Sequence, residues 1–176
     1  SLTISITGVT SLGGYSVSTS GDYLLLTDSD ENIIKYKNIE SLTVGSYAYT
    51  DVTDPNNSST KLGGLWNATE QVLYMYGGGN FSTNSLVGSD GLTGLTSSSG
   101  LTAIGSSSGD YMNLNINRSD NGSDSYLSGN YMLTLGGGSD SISVKMKNGD
   151  SIDMGAGDDS VSLLYMGSYG TPAIDA

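Results

Sequence analysis

A short pattern of glycine, aspartate and a large aliphatic residue occurs three times near the C-terminal end of the chain. The copies are Gly136-Gly-Gly-Ser-Asp140-Ser-Ile142, Asn148-Gly-Asp150-Ser-Ile152 and Gly155-Ala-Gly-Asp-Asp159-Ser-Val161, so their aspartates are 10 and then 9 residues apart. Glycine, and asparagine to a lesser degree, accepts the positive φ of a tight turn. The aliphatic residue two places after each aspartate begins a short strand, and its side chain is expected to point inward. The pattern therefore predicts short strands joined by tight acidic corners and repeated along one axis.

These copies resemble the glycine-rich nonapeptide repeats of RTX-type proteins, in which a parallel β-roll holds Ca²⁺ in its turns. The resemblance implies Ca²⁺ at one or two places, bound by carboxylate and backbone carbonyl oxygens. The metal-binding residues that it implies are Asp140, Asp159, Asp150, Asp124, Asp158, Gly138 and Gly157. Two nonapeptides make one coil of about 18 residues. Asp140 and Asp159 are therefore expected on successive coils of one face, with Asp150 on the opposite face.

A similar period continues upstream of the three copies. Gly91-Leu-Thr-Gly-Leu95 is followed nine residues later by Gly100-Leu-Thr-Ala-Ile104, and Gly122-Ser-Asp124-Ser-Tyr126 carries another glycine and aspartate unit. Counting in nines from residue 91 to residue 162 gives about four coils. We expect an all-β chain in which a short-stranded region, sandwich-like or forming the first coils, covers residues 1–87. A parallel β-roll or β-helix-like stack of nonapeptide repeats then covers residues 88–176.

The N-terminal region is predicted to consist of short strands separated by turns. One strand is expected over Leu42 to Tyr49, and the composition of Asp54 to Thr60 predicts a loop. The bulky segment Trp66 to Tyr76 contains either a helical turn or a buried strand over Val72 to Tyr76, and both alternatives stay open.

Composition restricts the partners and chemistry of the chain. Its 26 glycines and 36% hydrophobic residues predict a thin core repeated along an axis, and its 12 tyrosines favour strands. Eighteen acidic against six basic residues give a net charge of −12, which disfavours nucleic acid as a partner. The sequence contains no apolar run of about 18 residues, so no segment is predicted to span a membrane. The absence of cysteine and histidine excludes disulfides and disfavours zinc.

The sequence predicts no enzymatic activity. A nucleophile activated by a base normally needs histidine, and only three glutamates are present to supply paired carboxylates for glycoside cleavage. The leading hypothesis is a structural surface protein that forms homo-oligomers or decorates a larger assembly such as a capsid, a tail or a surface layer. The preferred setting is the surface of a bacteriophage virion, as a capsid decoration, fibre or tail protein stabilised by Ca²⁺.

Two other classes of function stay open. The RTX resemblance implies a type I-secreted surface-layer or adhesion protein that folds when it meets millimolar Ca²⁺ at the cell surface. The N-terminal segment Ser1-Leu-Thr-Ile-Ser-Ile lacks the basic-then-apolar plan of a secretory signal. Either a signal was removed before residue 1, or the protein leaves the cell in another way, such as type I secretion or release by lysis. A carbohydrate- or ice-binding module would use regular arrays of threonine, serine and tyrosine, and the irregular spacing of threonine disfavours it.

Overall fold

The computed structural model of the chain describes residues 3–6, 11–20, 23–37, 41–54, 57–76, 80–82, 92, 95, 99–114, 129–165 and 173–175. Within these ranges most of the backbone is β-strand, and the strands form a nine-stranded, a four-stranded and a three-stranded sheet. The prediction of an all-β chain that contains parallel strands is confirmed. In the same ranges no helix is long and apolar enough to cross a membrane.

Antiparallel pairing dominates the N-terminal part of the chain. The three-stranded sheet contains β2 (Tyr15–Ser20), β3 (Tyr23–Asp28) and β4 (Ile33–Lys37). The nine-stranded sheet begins with β1 (Thr3–Ile6), β5 (Ser41–Val44), β6 (Tyr47–Asp54), β7 (Asn57–Asn67) and β8 (Val72–Met75). Only β1 and β5 pair in parallel in this group. A 3-10 turn at Leu12–Gly14 leads into β2.

Two of the predicted segments in this region are wrong, and one open choice is settled. The expected strand over 42–49 is a hairpin, because Gly45 adopts a φ of 61° and turns β5 into β6. The expected loop over 54–60 is shorter, because residues from Asn57 onward pair with β6. In the bulky segment, residues 68–71 form a turn and Val72–Met75 forms a strand.

From β8 onward, consecutive strands alternate between two sheets. β8 is followed in the nine-stranded sheet by β10 (Leu101–Ile104), β12 (Tyr131–Thr134), β14 (Ser151–Asp153) and β16 (Ala173–Asp175). The four-stranded sheet contains β9 (Asn80–Ser82), β11 (Tyr111–Leu114), β13 (Ser141–Met146) and β15 (Ser160–Tyr165). Every pair among these strands is parallel. One strand of each sheet therefore makes a coil that lies on the coil before it.

The coils differ in length, so the uniform count in nines is wrong upstream of β12. Equivalent positions are 30 residues apart between Asp110 and Asp140 but 19 residues apart between Asp140 and Asp159. The added residues lie in the connections from β9 to β10 and from β11 to β12. The pairing of β8 with β10 also carries the nine-stranded sheet across the predicted boundary between residues 87 and 88, and the division into two regions stays a prediction.

Apolar side chains on the inner faces of the two sheets form the main core. Leu73, Ala103, Leu133 and Ile152 occupy one column of equivalent positions and are each at most 2% exposed. A second core lies between the three-stranded sheet and the N-terminal strands of the nine-stranded sheet, and it includes Tyr49. Because the coils share one continuous core, the position of each corner is fixed by the coil below it.

Candidate metal centre

Three successive coils leave the nine-stranded sheet through corners of equal length that end in an aspartate. The equivalent corners are residues 105–110, 135–140 and 154–159, which we call together the aspartate corner. Asp110, Asp140 and Asp159 each stand directly before a strand of the four-stranded sheet. Parallel pairing of those strands places the three aspartates one above another.

The aspartates hydrogen-bond from one coil to the preceding one. Asp140 Oδ1 accepts from the backbone N–H of Asp110 at 2.8 Å, and Asp159 Oδ1 accepts from the backbone N–H of Asp140 at 2.9 Å. Asp110 Oδ2 accepts from the N–H of Ser106 in its own corner at 2.8 Å. A backbone N–H at a buried corner needs a partner, and a carboxylate is a strong acceptor. The aspartates therefore have a structural role whether or not a metal binds.

One carboxylate oxygen is not satisfied by these contacts. Asp140 is 1% exposed, and its Oδ2 is buried without a hydrogen-bond partner. Desolvation raises the pKa of Asp140 to about 6, the N–H of Asp110 opposes this increase, and the charges of Asp110 and Asp159 add to it. An unpaired buried oxygen is costly, and a proton or a cation would relieve the cost. The carboxylate of Asp140 therefore suits a hard cation such as Ca²⁺.

Carboxylates alone do not complete a coordination sphere at this corner. Among the residues that the structure describes, no group of three or more Asp, Glu, His or Cys side chains is arranged to hold a metal ion. Ca²⁺ takes six to eight oxygen ligands, including backbone carbonyls and water. An ion at the aspartate corner would consequently need carbonyl and water oxygens in addition to Asp140.

The two glycines named with the aspartates are explained by the close approach of the corners. Gly157 has a φ of 154°, and a Cβ there would lie 1.6 Å from the carbonyl oxygen of Gly138. Gly138 has a φ of 101°, and a Cβ there would lie 2.5 Å from the backbone N of Gly109. Any side chain at either position would overlap the backbone of the preceding coil. Their presence is required for packing, independently of metal binding.

Asp150 and Asp158, which were also predicted from the sequence, are not members of this column of three aspartates. Asp150 is at the opposite corner, where its carboxylate accepts from the N–H of Tyr131 at 2.9 Å and of Lys147 at 2.7 Å. Asp158 is exposed beside Asp159. Asp124 lies outside the described residues. Asp110 is not among the site residues predicted from the sequence, although Gly109-Asp110 precedes a strand in the same way as the later copies.

A cleft of about 520 Å³ lies between the three-stranded sheet and the outer face of β8 and β10. Tyr15, Tyr74, Ile104 and Asp28 are among the residues that line it. The Asp28 carboxylate accepts from the side chain and backbone of Asn32 and from the N–H of Asp30, and these bonds lower its pKa. Asp28 thus closes the turn between β3 and β4.

The aspartate corner is therefore the strongest candidate site among the described residues. It combines a repeated geometry, like charges in close proximity and a buried oxygen without a partner. Comparisons with protein-family models, with curated proteins and with solved structures gave no match for this chain.

Proposed function

We propose that this chain is a non-enzymatic structural surface protein whose C-terminal coils form a Ca²⁺-stabilised β-roll of the RTX type. The observation that carries this proposal is the stacked aspartate corner with the unpaired, buried Oδ2 of Asp140. The protein self-assembles or decorates a larger assembly. Its preferred setting is the surface of a bacteriophage virion, as a capsid decoration, fibre or tail protein.

Electrostatics at the corner support Ca²⁺ as the ion. Three carboxylates occupy equivalent positions on adjacent coils, and strands in a sheet are about 4.8 Å apart. Like charges at that spacing repel each other, and a divalent cation converts the repulsion into attraction. The net charge of −12 adds a general attraction for cations. Carboxylate and carbonyl oxygens favour Ca²⁺ over softer metals.

The architecture supports a structural role. Coils that share a continuous core and hydrogen-bond through both sheets form a rigid body with repeated surfaces. The outer faces carry exposed small polar side chains such as Ser151 of β14 in the nine-stranded sheet and Ser162 of β15 in the four-stranded sheet. Such a body can present equivalent surfaces at regular intervals to a lattice or a filament.

Calorimetry with and without Ca²⁺ tests the metal part of the proposal. Millimolar Ca²⁺ is expected to raise Tm by several degrees relative to excess chelator, with saturation near one or two ions per chain. Asp140→Asn and Asp159→Asn are expected to abolish most of this increase. Asp30→Asn is the matched control, because it removes one exposed charge from the turn between β3 and β4, which is not part of the aspartate corner. An equal Tm in chelator and in Ca²⁺ would rule out the metal site.

The 19-residue spacing of Asp140 and Asp159 also favours the second candidate, a type I-secreted RTX-like surface-layer or adhesion protein. That function requires the chain to stay unfolded at the low Ca²⁺ concentration of a cytoplasm and to fold outside the cell. Circular dichroism in chelator distinguishes the two candidate functions. A folded chain in chelator supports the virion protein, and an unfolded chain that folds on addition of Ca²⁺ supports the secreted protein.

The assembly part of the proposal needs its own measurement. The native particle that contains the chain is expected to carry it in many copies at symmetric positions. Mass measurement and electron microscopy of that particle give the copy number and the location. A chain found only as a solitary subunit, without a larger assembly, would contradict this part.

A further inference from the structure

The final coil, formed by β15 and β16, leaves apolar side chains of the inner columns uncovered. Parallel register places Leu163 on Val144 and Ile174 on Ile152. Val144 and Ile152 are at most 1% exposed, whereas Leu163 is 46% and Ile174 is 38% exposed. The inner core therefore continues to the end of the stack and meets solvent there.

The same end presents two sheet edges. Among the strands that the structure describes, β15 is at the edge of the four-stranded sheet and β16 is at the edge of the nine-stranded sheet. An edge strand offers a row of backbone N–H and C=O groups to any strand that can align with it. Apolar columns between two such edges form a surface that another β-sheet end can cover.

Charge along β15 indicates which partner fits. The strand begins directly after Asp158 and Asp159. Its other end lies beside Lys145, which is in register with Leu164 on the neighbouring strand, and Lys147 follows that strand. The edge is therefore acidic at its beginning and flanked by basic residues at its end. A second β15 running antiparallel would bring each acidic end beside a basic end.

We propose that this end binds the same end of a second copy of the chain around a two-fold axis. β15 pairs antiparallel with β15 of the second copy, and β16 pairs with its own counterpart. Leu163 and Ile174 then face the same residues of the other copy, so the surface is self-complementary, as an isologous contact requires. This inference rests on the proposed role in assembly and specifies its contact and its symmetry.

The size of the surface predicts a weak dimer. β15 has 6 residues, so at about 3.3 Å per residue and about 10 Å between sheets the end of the stack offers roughly 200 Å² per copy. A standard stable interface buries about 800 Å² per partner. We expect a reversible dimer that forms at high micromolar concentration and is reinforced where copies are held close together.

Sedimentation velocity over a range of protein concentrations tests the contact. The chain is expected to shift from monomer to dimer, and Leu163→Lys and Ile174→Lys are expected to stay monomeric. Met132→Lys is the matched control, because Met132 is 60% exposed on the outer face of β12, two strands from the β16 edge. Circular dichroism verifies that each variant is folded. A wild-type chain that stays monomeric, or one that grows into open polymers, overturns the inference.

Disulfide trapping tests the two-fold symmetry separately. The chain has no cysteine, so a single introduced thiol gives an unambiguous result. Leu163→Cys, which lies opposite its own counterpart in this pairing, is expected to form a covalent dimer under mild oxidation, and Thr134→Cys on the outer face of β12 is not. Equal trapping of both variants overturns the inference. A normal Ca²⁺ response without dimers overturns this contact alone, whereas dimers without a Ca²⁺ response overturn the metal site alone.

Discussion

The two carboxylate oxygens of Asp140 are in different situations. Oδ1 accepts a backbone N–H, whereas Oδ2 is buried without a partner and the pKa of the group is raised to about 6. Because the pKa of Asp140 in the folded chain lies above its ordinary value of 3.8, protonation stabilises the fold. In the absence of divalent cations this stability is fully present below about pH 4 and is lost as pH rises through about 6.

Asp140→Asn provides the test of this pH dependence. The amide keeps an acceptor for the Asp110 N–H and removes the charge. In chelator, the Tm of the variant is therefore expected to fall less between pH 4 and pH 7 than the Tm of the wild type. Calorimetry of both proteins across that range measures the difference in slope. Parallel curves for wild type and variant would contradict the assignment. Addition of Ca²⁺ at pH 7 is expected to stabilise the wild type and to leave the variant nearly unchanged.

Gly157 is more tightly enclosed than Gly138. Gly157→Ala is expected to destabilise the chain by about 3 kcal/mol, because the new methyl group would overlap the carbonyl oxygen of Gly138. Gly14→Ala is the control, since a Cβ there has no atom within 4 Å, and its effect is expected to stay within about 0.5 kcal/mol. Urea denaturation measures both. Equal effects would mean that the corners separate more easily than the structure indicates.

At the scale of elements, the 3-10 turn before β2 depends on one tyrosine. Tyr49 in β6 accepts the buried backbone N–H of Leu12 at 3.0 Å and donates to Glu70 at 3.3 Å. Tyr49→Phe is expected to cost about 1–2 kcal/mol, because that N–H loses its partner. Hydrogen exchange at Leu12 is expected to accelerate. Tyr111→Phe, at a position 41% exposed, is the control and is expected to change neither quantity.

The sequence predicted those elements whose periodicity comes from the corner itself. Asp140 and Asp159 occur at equivalent positions because the final coils have corners of equal length, with little added to the connections between them. Upstream, the longer connection between β11 and β12 sets the coil length and places Asp110 and Asp140 30 residues apart, so counting in nines fails there. The composition of 54–60 indicates a loop, but cross-strand pairing such as that of Thr53 with Lys61 extends the hairpin.

The candidate site was only partly predictable for a related reason. Asp140 could be chosen from its glycines, but the pairing of Asp110 with it spans 30 positions and depends on the parallel sheet. The burial of Asp140 Oδ2 also depends on how closely the corners approach, which no local pattern encodes. Sequence spacing therefore identified the acidic corner, whereas the order of its hydrogen bonds required the fold.

At the scale of the whole molecule, a net charge of −12 on 176 residues opposes compaction. NaCl is expected to raise Tm gradually, because salt screens repulsion among surface carboxylates. CaCl₂ at the same ionic strength is expected to add an increment that saturates. Differential scanning fluorimetry of both titrations separates screening from site binding. Coincident curves for the two salts would show that general screening accounts for the whole effect.

The unequal lengths of the coils indicate that the two sides of the stack differ in how well they tolerate an insertion. Insertions between β11 and β12 leave the spacing of the aspartate corner untouched, since that corner keeps one length in coils that differ by many residues. Peptide epitopes or affinity tags placed in that connection would therefore be carried at the flank of the stack without altering its register. The same change at residues 135–140 would shift every later strand.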